Sequence, residues 1–143
     1  ADLVELKDEN RTLMKYAFVV LPKLKRISLK ALFEVAGIDP QTITMYTLWY
    51  LVGPRLNAPG RINDANIAFK LLIEKDEKKA HDFAKVLDKQ NRERQQILEE
   101  ALGEAENKVT QKEIKRKKII FIGSPKPMSG NRKIPVFLKL QKL

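Results

Sequence analysis

Asp76-Glu77-Lys78-Lys79-Ala80-His81-Asp82-Phe83-Ala84-Lys85-Val86-Leu87-Asp88-Lys89-Gln90-Asn91-Arg92-Glu93-Arg94 opens the longest unbroken pattern in the chain. Ala80, Phe83, Leu87, Asn91, Arg94, Leu98, Ala101, Ala105 and Val109 follow at spacings of three or four, which puts them on one face of a helix. No proline falls between residues 76 and 118, and Gly103 is the only glycine there. About 35 helical residues at a rise of about 1.5 Å make a rod of about 50 Å, longer than a small domain is wide. Asp76 and Glu77 at its start and Lys115 to Lys118 at its end complement the helix dipole. Such a rod joins two bodies or forms a coiled coil. Heptads fail where Asn91 and Arg94 take seam positions, so a connecting helix is the stronger reading. The polar gap also predicts docking, with Arg94 buried against the helices of residues 10–74 and paired with a carboxylate or with loop carbonyls.

Working outward toward the N-terminus, the pattern is one of short helices broken by Gly and Pro. Asn10 is expected to cap a helix from Arg11 with Leu13, Ala17, Val20 and Leu21 on one face, closed by Pro22. Ser28 is expected to cap a second, carrying Leu29, Leu32, Phe33 and Val35 and stopping at Gly37. Asp39-Pro40 signals a turn. Thr44 is expected to cap a third helix through Leu48, Trp49, Leu51 and Val52, ending at Gly53-Pro54. After a tight loop, Asn63 or Asp64 caps a fourth, whose stripe is Ile67, Ala68, Leu71 and Leu72. These apolar residues read as core.

Beyond the rod, Ile119-Ile120-Phe121-Ile122 and Pro135-Val136-Phe137-Leu138 have strand chemistry. The link between them is short for a parallel crossover, so an antiparallel hairpin is expected. The predicted fold class is mainly α: short helices, one long connecting helix, then a short C-terminal β pair. The expected domains are residues 1–74, the connecting helix at 75–118, and the start of a further domain at 119–143.

The charge is asymmetric. The net charge is +10, and residues 108–143 hold eleven basic residues against one acid, Glu113, which accounts for all of it. Such a skew suggests a polyanionic partner. The absence of cysteine excludes a disulfide framework, a thiolate metal site and a cysteine nucleophile. With His81 as the single histidine, a His-rich metal cage is excluded too. The longest purely apolar run, Ala17 to Leu21, is far too short to span a membrane. No signal peptide opens the chain. A soluble cytoplasmic protein is expected, and the start at Ala1-Asp2 without methionine reads as a piece whose natural beginning lies upstream.

Gly53-Pro54-Arg55-Leu56-Asn57-Ala58-Pro59-Gly60-Arg61 is the segment richest in chemistry. Two prolines stiffen it, and two glycines permit close approach or positive φ. Arg55 and Arg61 offer forks that match phosphate oxygens, and Asn57 can donate to a phosphate or fix the turn. The plainer alternative is a rigid loop whose arginines pair with carboxylates such as Asp64.

This segment resembles the Gly-Pro-Arg-Leu/Ile-Asn-Ala-x-Gly-Arg signature of RecJ-like single-strand-specific exonucleases of the DHH phosphoesterase superfamily. Other matches keep the family's order. Ala1-Asp2-Leu3-Val4-Glu5-Leu6 resembles the end of Gly-Thr-Val-Ala-Asp-x-x-Pro-Leu; Glu9-Asn10-Arg11, Ala31 to Gly37 and Ile62 to Ala65 follow; Leu87-Asp88-Lys89-Gln90-Asn91-Arg92-Glu93-Arg94 resembles the Leu-Asp-x-x-Asn-x-x-Arg helix. The likeness runs from residue 1 to about 122. It implies that residues 1–74 end a DHH catalytic domain and that 119–143 begin a DHH-associated domain. It also implies hydrolysis of single-stranded DNA from the 5′ end, in repair and recombination, with Mn²⁺ or Mg²⁺ held by Asp and His. Two such ions would activate the water and stabilise the leaving oxygen.

Of the metal-binding motifs only the last aspartate has a counterpart, Asp2, a ligand in the intact enzyme. The missing upstream DHH domain would hold the rest and the downstream one would complete the second domain, so the isolated chain is expected to bind no metal and to be inactive, with no catalytic residue of its own. By the same resemblance Arg55, Asn57 and Arg61 hold the substrate phosphates, and Arg55→Ala or Arg61→Ala should spare stability. Asn91 and Arg94 would lock the connecting helix onto the catalytic domain. The chain departs from the family at Thr47, Trp49 and Tyr50, where an acidic residue and then Gly-Phe are usual. It also lacks the aromatic-His-x-x-Gly and Gly-Gly-His motifs of the second domain. The alternative reading is a non-catalytic RecJ-like scaffold or DNA-binding component of a replication or repair assembly.

Overall fold

In the computed structural model, residues 4–62, 64, 66–111, 120–122 and 136–138 are described. The chain is mainly helical: α1 (Asp8–Val20), α2 (Ile27–Ala36), α3 (Gly53–Asn57), α4 (Pro59–Ile62), α5 (Asn66–Ile73) and α6 (Glu77–Gln111). Two three-residue strands, β1 (Ile120–Ile122) and β2 (Val136–Leu138), pair antiparallel with Phe121 opposite Phe137. The chain divides into two units, Ala1–Asn91 and Arg92–Leu143, with the division inside α6.

Most helix ends follow from local chemistry. Gly37 closes α2 at φ +66, and the N–H of Ile38 reaches back to the Phe33 carbonyl at 2.9 Å, the doubled bond of a left-handed cap. Asp64 Oδ1 accepts from the Asn66 N–H at 3.0 Å at the head of α5. Asp76 Oδ1 accepts from the Lys79 N–H at 2.8 Å and so caps α6. Two expected caps are displaced. Asn10 lies inside α1, where its Nδ2 donates to the Glu5 carbonyl at 3.1 Å, and Lys7 precedes the helix instead. Ser28 is 2% exposed in the first turn of α2, which begins after Arg26. Pro22 does not simply end α1; it sits in a tight 3₁₀ turn, Leu21–Lys23.

The largest correction concerns residues 44–62. Thr44 does cap: its hydroxyl accepts from the Thr47 N–H at 3.3 Å while Thr47 Oγ1 accepts from the Thr44 N–H at 3.1 Å. This is the reciprocal arrangement of a capping box, with threonine in place of the usual acid. The helix then fails to stop at Gly53-Pro54. It widens into a π-turn over Thr47–Val52, the Gly53 N–H bonds back to the Leu48 carbonyl, and α3 follows at once. A proline costs a helix one N–H and crowds the preceding turn, and a wider turn accommodates both. Gly53 has ordinary helical angles, so positive φ is not its role. A Cβ there would stand 3.1 Å from the Leu48 oxygen, so the glycine permits a close approach. The predicted loop is therefore mostly helical.

The core of the first unit lies among α2, the π-turn, α5 and the opening of α6. It holds Ala31, Leu32, Phe33, Ile38, Val52, Leu71, Ala80, Ala84 and Leu87, with Ile67, Ala68 and Phe83 half-buried against it. By contrast α1 buries no residue; Leu13 is 68% and Val20 58% exposed. In the second unit Ala101 and Ala105 are buried, whereas Leu98, expected on the same stripe, is exposed.

Candidate nucleic-acid-binding site

Pro54 starts α3, and Arg55 follows it with its side chain directed back along the π-turn. Its Nη1 donates to the Leu51 carbonyl at 2.6 Å. Its Nε donates to Asp88 Oδ1 at 2.8 Å, and the two side chains are only 11% and 9% exposed. Asp88 sits on α6 beside Leu87, which is fully buried, so the bridge straps the Gly53–Arg61 segment to the long helix.

This changes the expectation for Arg55. The sequence offered an arginine dispensable for stability or one paired with a carboxylate such as Asp64; the carboxylate is Asp88. Both side chains are largely out of water, so removing Asp88 leaves the Arg55 guanidinium in a buried site without its carboxylate. Asp88 was missed as a site residue although its place was readable. It follows Leu87 and lies four residues after Ala84 and three before Asn91, on the flank of the buried stripe.

The other predicted residues are not all brought together. Asn57 is half-buried at the end of α3. Two helical residues span about 200°, so Arg55 and Asn57 leave α3 on different faces. Arg61 lies on α4, and its side chain is outside the described residues, as is Asp2. So is most of the basic stretch 108–143. Asn91 is 1% exposed. Arg94 is half-buried with its Nε shielded from solvent, and it belongs to the second unit.

Other charged features offer less. A groove between α2 and α6 is lined by Lys30, Glu34, Glu77, His81, Asp82 and Lys85, with Lys30 and Glu77 4.0 Å apart. Its mixed signs give no focus for an anion. Among the described residues no group of three or more His, Asp or Glu could hold a metal ion. No helix among them is long and apolar enough to cross a membrane.

No family model matches the chain. It is 35% identical over 120 residues to the single-stranded-DNA-specific exonuclease RecJ of Bacillus subtilis, covering 84% of this chain and 15% of that protein. With the RecJ of Escherichia coli it shares 37% over 98 residues, 68% of this chain and 17% of that one. The crystal structure of RecJ from Thermus thermophilus in complex with Mg²⁺ superposes with a TM-score of 0.65 at 28% identity, over 73% of this chain and 16% of that one. The same protein in complex with Mn²⁺ matches equally well. The chain is RecJ-like. It spans about a sixth of the length of the curated relatives it matches. Within the RecJ-like chain, the Arg55–Asp88 bridge joins two of the motifs that carry the resemblance, Gly53 to Arg61 and Leu87 to Arg94.

Proposed function

We propose that this chain is the helical segment of a RecJ-type exonuclease in which the end of a DHH catalytic domain meets the helix leading to the next domain. In that reading Arg55, Asn57 and Arg61 hold the phosphates of single-stranded DNA, Asp2 joins the carboxylates that carry Mn²⁺ or Mg²⁺, and Asn91 and Arg94 fix the long helix to the catalytic domain. The hydrolysis of a 5′ end, in repair and recombination, belongs to the longer protein.

One observation carries the reading: the guanidinium of the signature segment is oriented by a buried carboxylate 33 residues away in the second motif. Arg55 commits Nε and Nη1 to protein oxygens, so Nη2 is the nitrogen that would meet a phosphate. A guanidinium held at two corners loses little freedom on taking a ligand at the third. Asp88 is thus a positioning residue for Arg55.

Binding of a labelled oligothymidylate of about 15 nucleotides, followed by fluorescence anisotropy, tests this. The 143 residues should bind the strand without hydrolysing it when Mn²⁺ is added. Each lost phosphate contact should lower the slope of log affinity against log salt by about 0.7. Arg61→Ala should do so while sparing the fold. An unchanged slope in Arg61→Ala together with an unchanged affinity in Asn57→Ala would remove the phosphate role from these two residues.

A further inference from the structure

The π-turn that accommodates Pro54 has a second consequence. From Thr44 to Val52, Thr47 and Val52 are buried, and Leu48 and Leu51 pack against the core. The large apolar groups left outside are all rings. Tyr46, Trp49 and Tyr50 are 61%, 45% and 61% exposed, and Tyr46 and Tyr50 stack with centroids 5.0 Å apart at an interplanar angle of 23°. Tyr46 and Tyr50 stand one turn apart, and Trp49 directly precedes Tyr50 in the π-turn.

Asp39 and Asp64 bound the stretch that carries them. Residues 40–63 contain no acid. Gln41, five residues before Tyr46, donates from Nε2 to the Pro22 carbonyl at 3.3 Å and so ties this region to the turn Leu21–Lys23. That turn runs into Lys23, Lys25 and Arg26, all exposed. From Thr44 to Val52 the aliphatic side chains have gone inward and the rings stay out, and the turn that Gln41 ties to this stretch leads into exposed cations, a combination that suits unpaired bases on a phosphate backbone.

We propose that Tyr46, Trp49 and Tyr50 form a stacking platform for the bases of single-stranded nucleic acid, with Lys23, Lys25 and Arg26 taking its phosphates. The inference rests on the single-strand reading above and adds a place for the bases. Trp49 and Tyr50 stand where the resembled family usually carries Gly-Phe, so Trp49 is the ring by which this chain departs from the resemblance.

Trp49 is the only tryptophan, so intrinsic fluorescence reports on this one position. Titration of the whole chain with an oligothymidylate of about 15 nucleotides should quench that fluorescence, with the midpoint seen by anisotropy of the labelled strand. A blunt duplex of the same length, whose bases are already stacked, should not quench it. Trp49→Ala combined with Tyr50→Ala should weaken single-strand binding about tenfold or more without changing the salt slope, because stacking releases no counterions. Strand binding without any change in Trp49 emission would overturn the platform and leave the single-strand reading standing. Failure to bind the strand at all would overturn both. A protein-concentration-dependent shift of Trp49 emission in the absence of nucleic acid would show the rings covered by a second copy, which also overturns the platform.

Discussion

Two helices of the first unit have equally regular apolar spacing and opposite fates. The opening of α6 buries Ala80, Ala84, Leu87, Asp88 and Asn91, while α1 buries nothing. Periodicity specifies that a face exists; it does not specify what covers it. For α6 the cover is α2, α5 and the π-turn, and a charge pair is set within it. For α1, Leu13, Tyr16, Val19 and Val20 all remain exposed. The difference is one of partners, and it can be measured as the energetic cost of cutting back each helix.

The largest effect is expected where the contrast is greatest. Asp88→Ala should destabilise the first unit by about 3–5 kcal/mol, because it strands the Arg55 guanidinium in a buried site. Arg55→Ala should cost a similar amount, and the double variant much less than their sum. Urea denaturation of the three variants gives the coupling directly. Additive losses would show that the bridge is incidental to the docking of α6.

A smaller effect separates the two helices by packing alone. Leu87 is fully buried, so Leu87→Ala should cost about 2–5 kcal/mol. Leu13, 68% exposed, should change stability by no more than about 0.5 kcal/mol when replaced by alanine. A cost for Leu13→Ala comparable with that for Leu87→Ala would mean that α1 is covered in solution.

What the sequence made legible follows the same line. The long helix, the stop at Gly37 and the core stripe Leu32, Phe33, Leu71 and Leu87 were readable, because spacing and a single glycine decide each of them locally. The end of the third helix differs from expectation because Gly53-Pro54 is a reliable breaker only if the turn cannot widen, and here Thr47–Val52 supplies the extra residue. The site was half legible. Arg55 stood out by its chemistry and its motif, but its partner is 33 residues away on another helix, and no local rule links them. The exposure of Trp49 and its neighbouring rings was not legible, because an aromatic residue within an apolar helical stretch reads as core until its neighbours are known.

The smallest predicted effect lies at the joint between α5 and α6, where the well-packed region begins. Glu74 Oε1 accepts from the Asp76 N–H at 3.0 Å and the Lys75 N–H at 2.9 Å. These two bonds, the Asp76 one foremost, favour the ionised form and hold the Glu74 carboxyl below the ordinary glutamate range. A carboxyl with a depressed folded value contributes stability that is fully present above its unfolded value, about 4.3, and is lost as pH falls through the folded value. Glu74→Gln keeps an acceptor oxygen but removes the charge, so it should narrow the stability difference between neutral and acidic pH. Because the group is exposed, solvent screens it and the effect should be far smaller than that of Asp88→Ala. The measurement is the gap between wild type and Glu74→Gln in urea midpoint, followed from about pH 6 to about pH 3. The gap should close as the pH falls. A gap that stays constant would show that Glu74 acts only as a hydrogen-bond acceptor, and one that widens would reverse the sign assigned to its carboxyl.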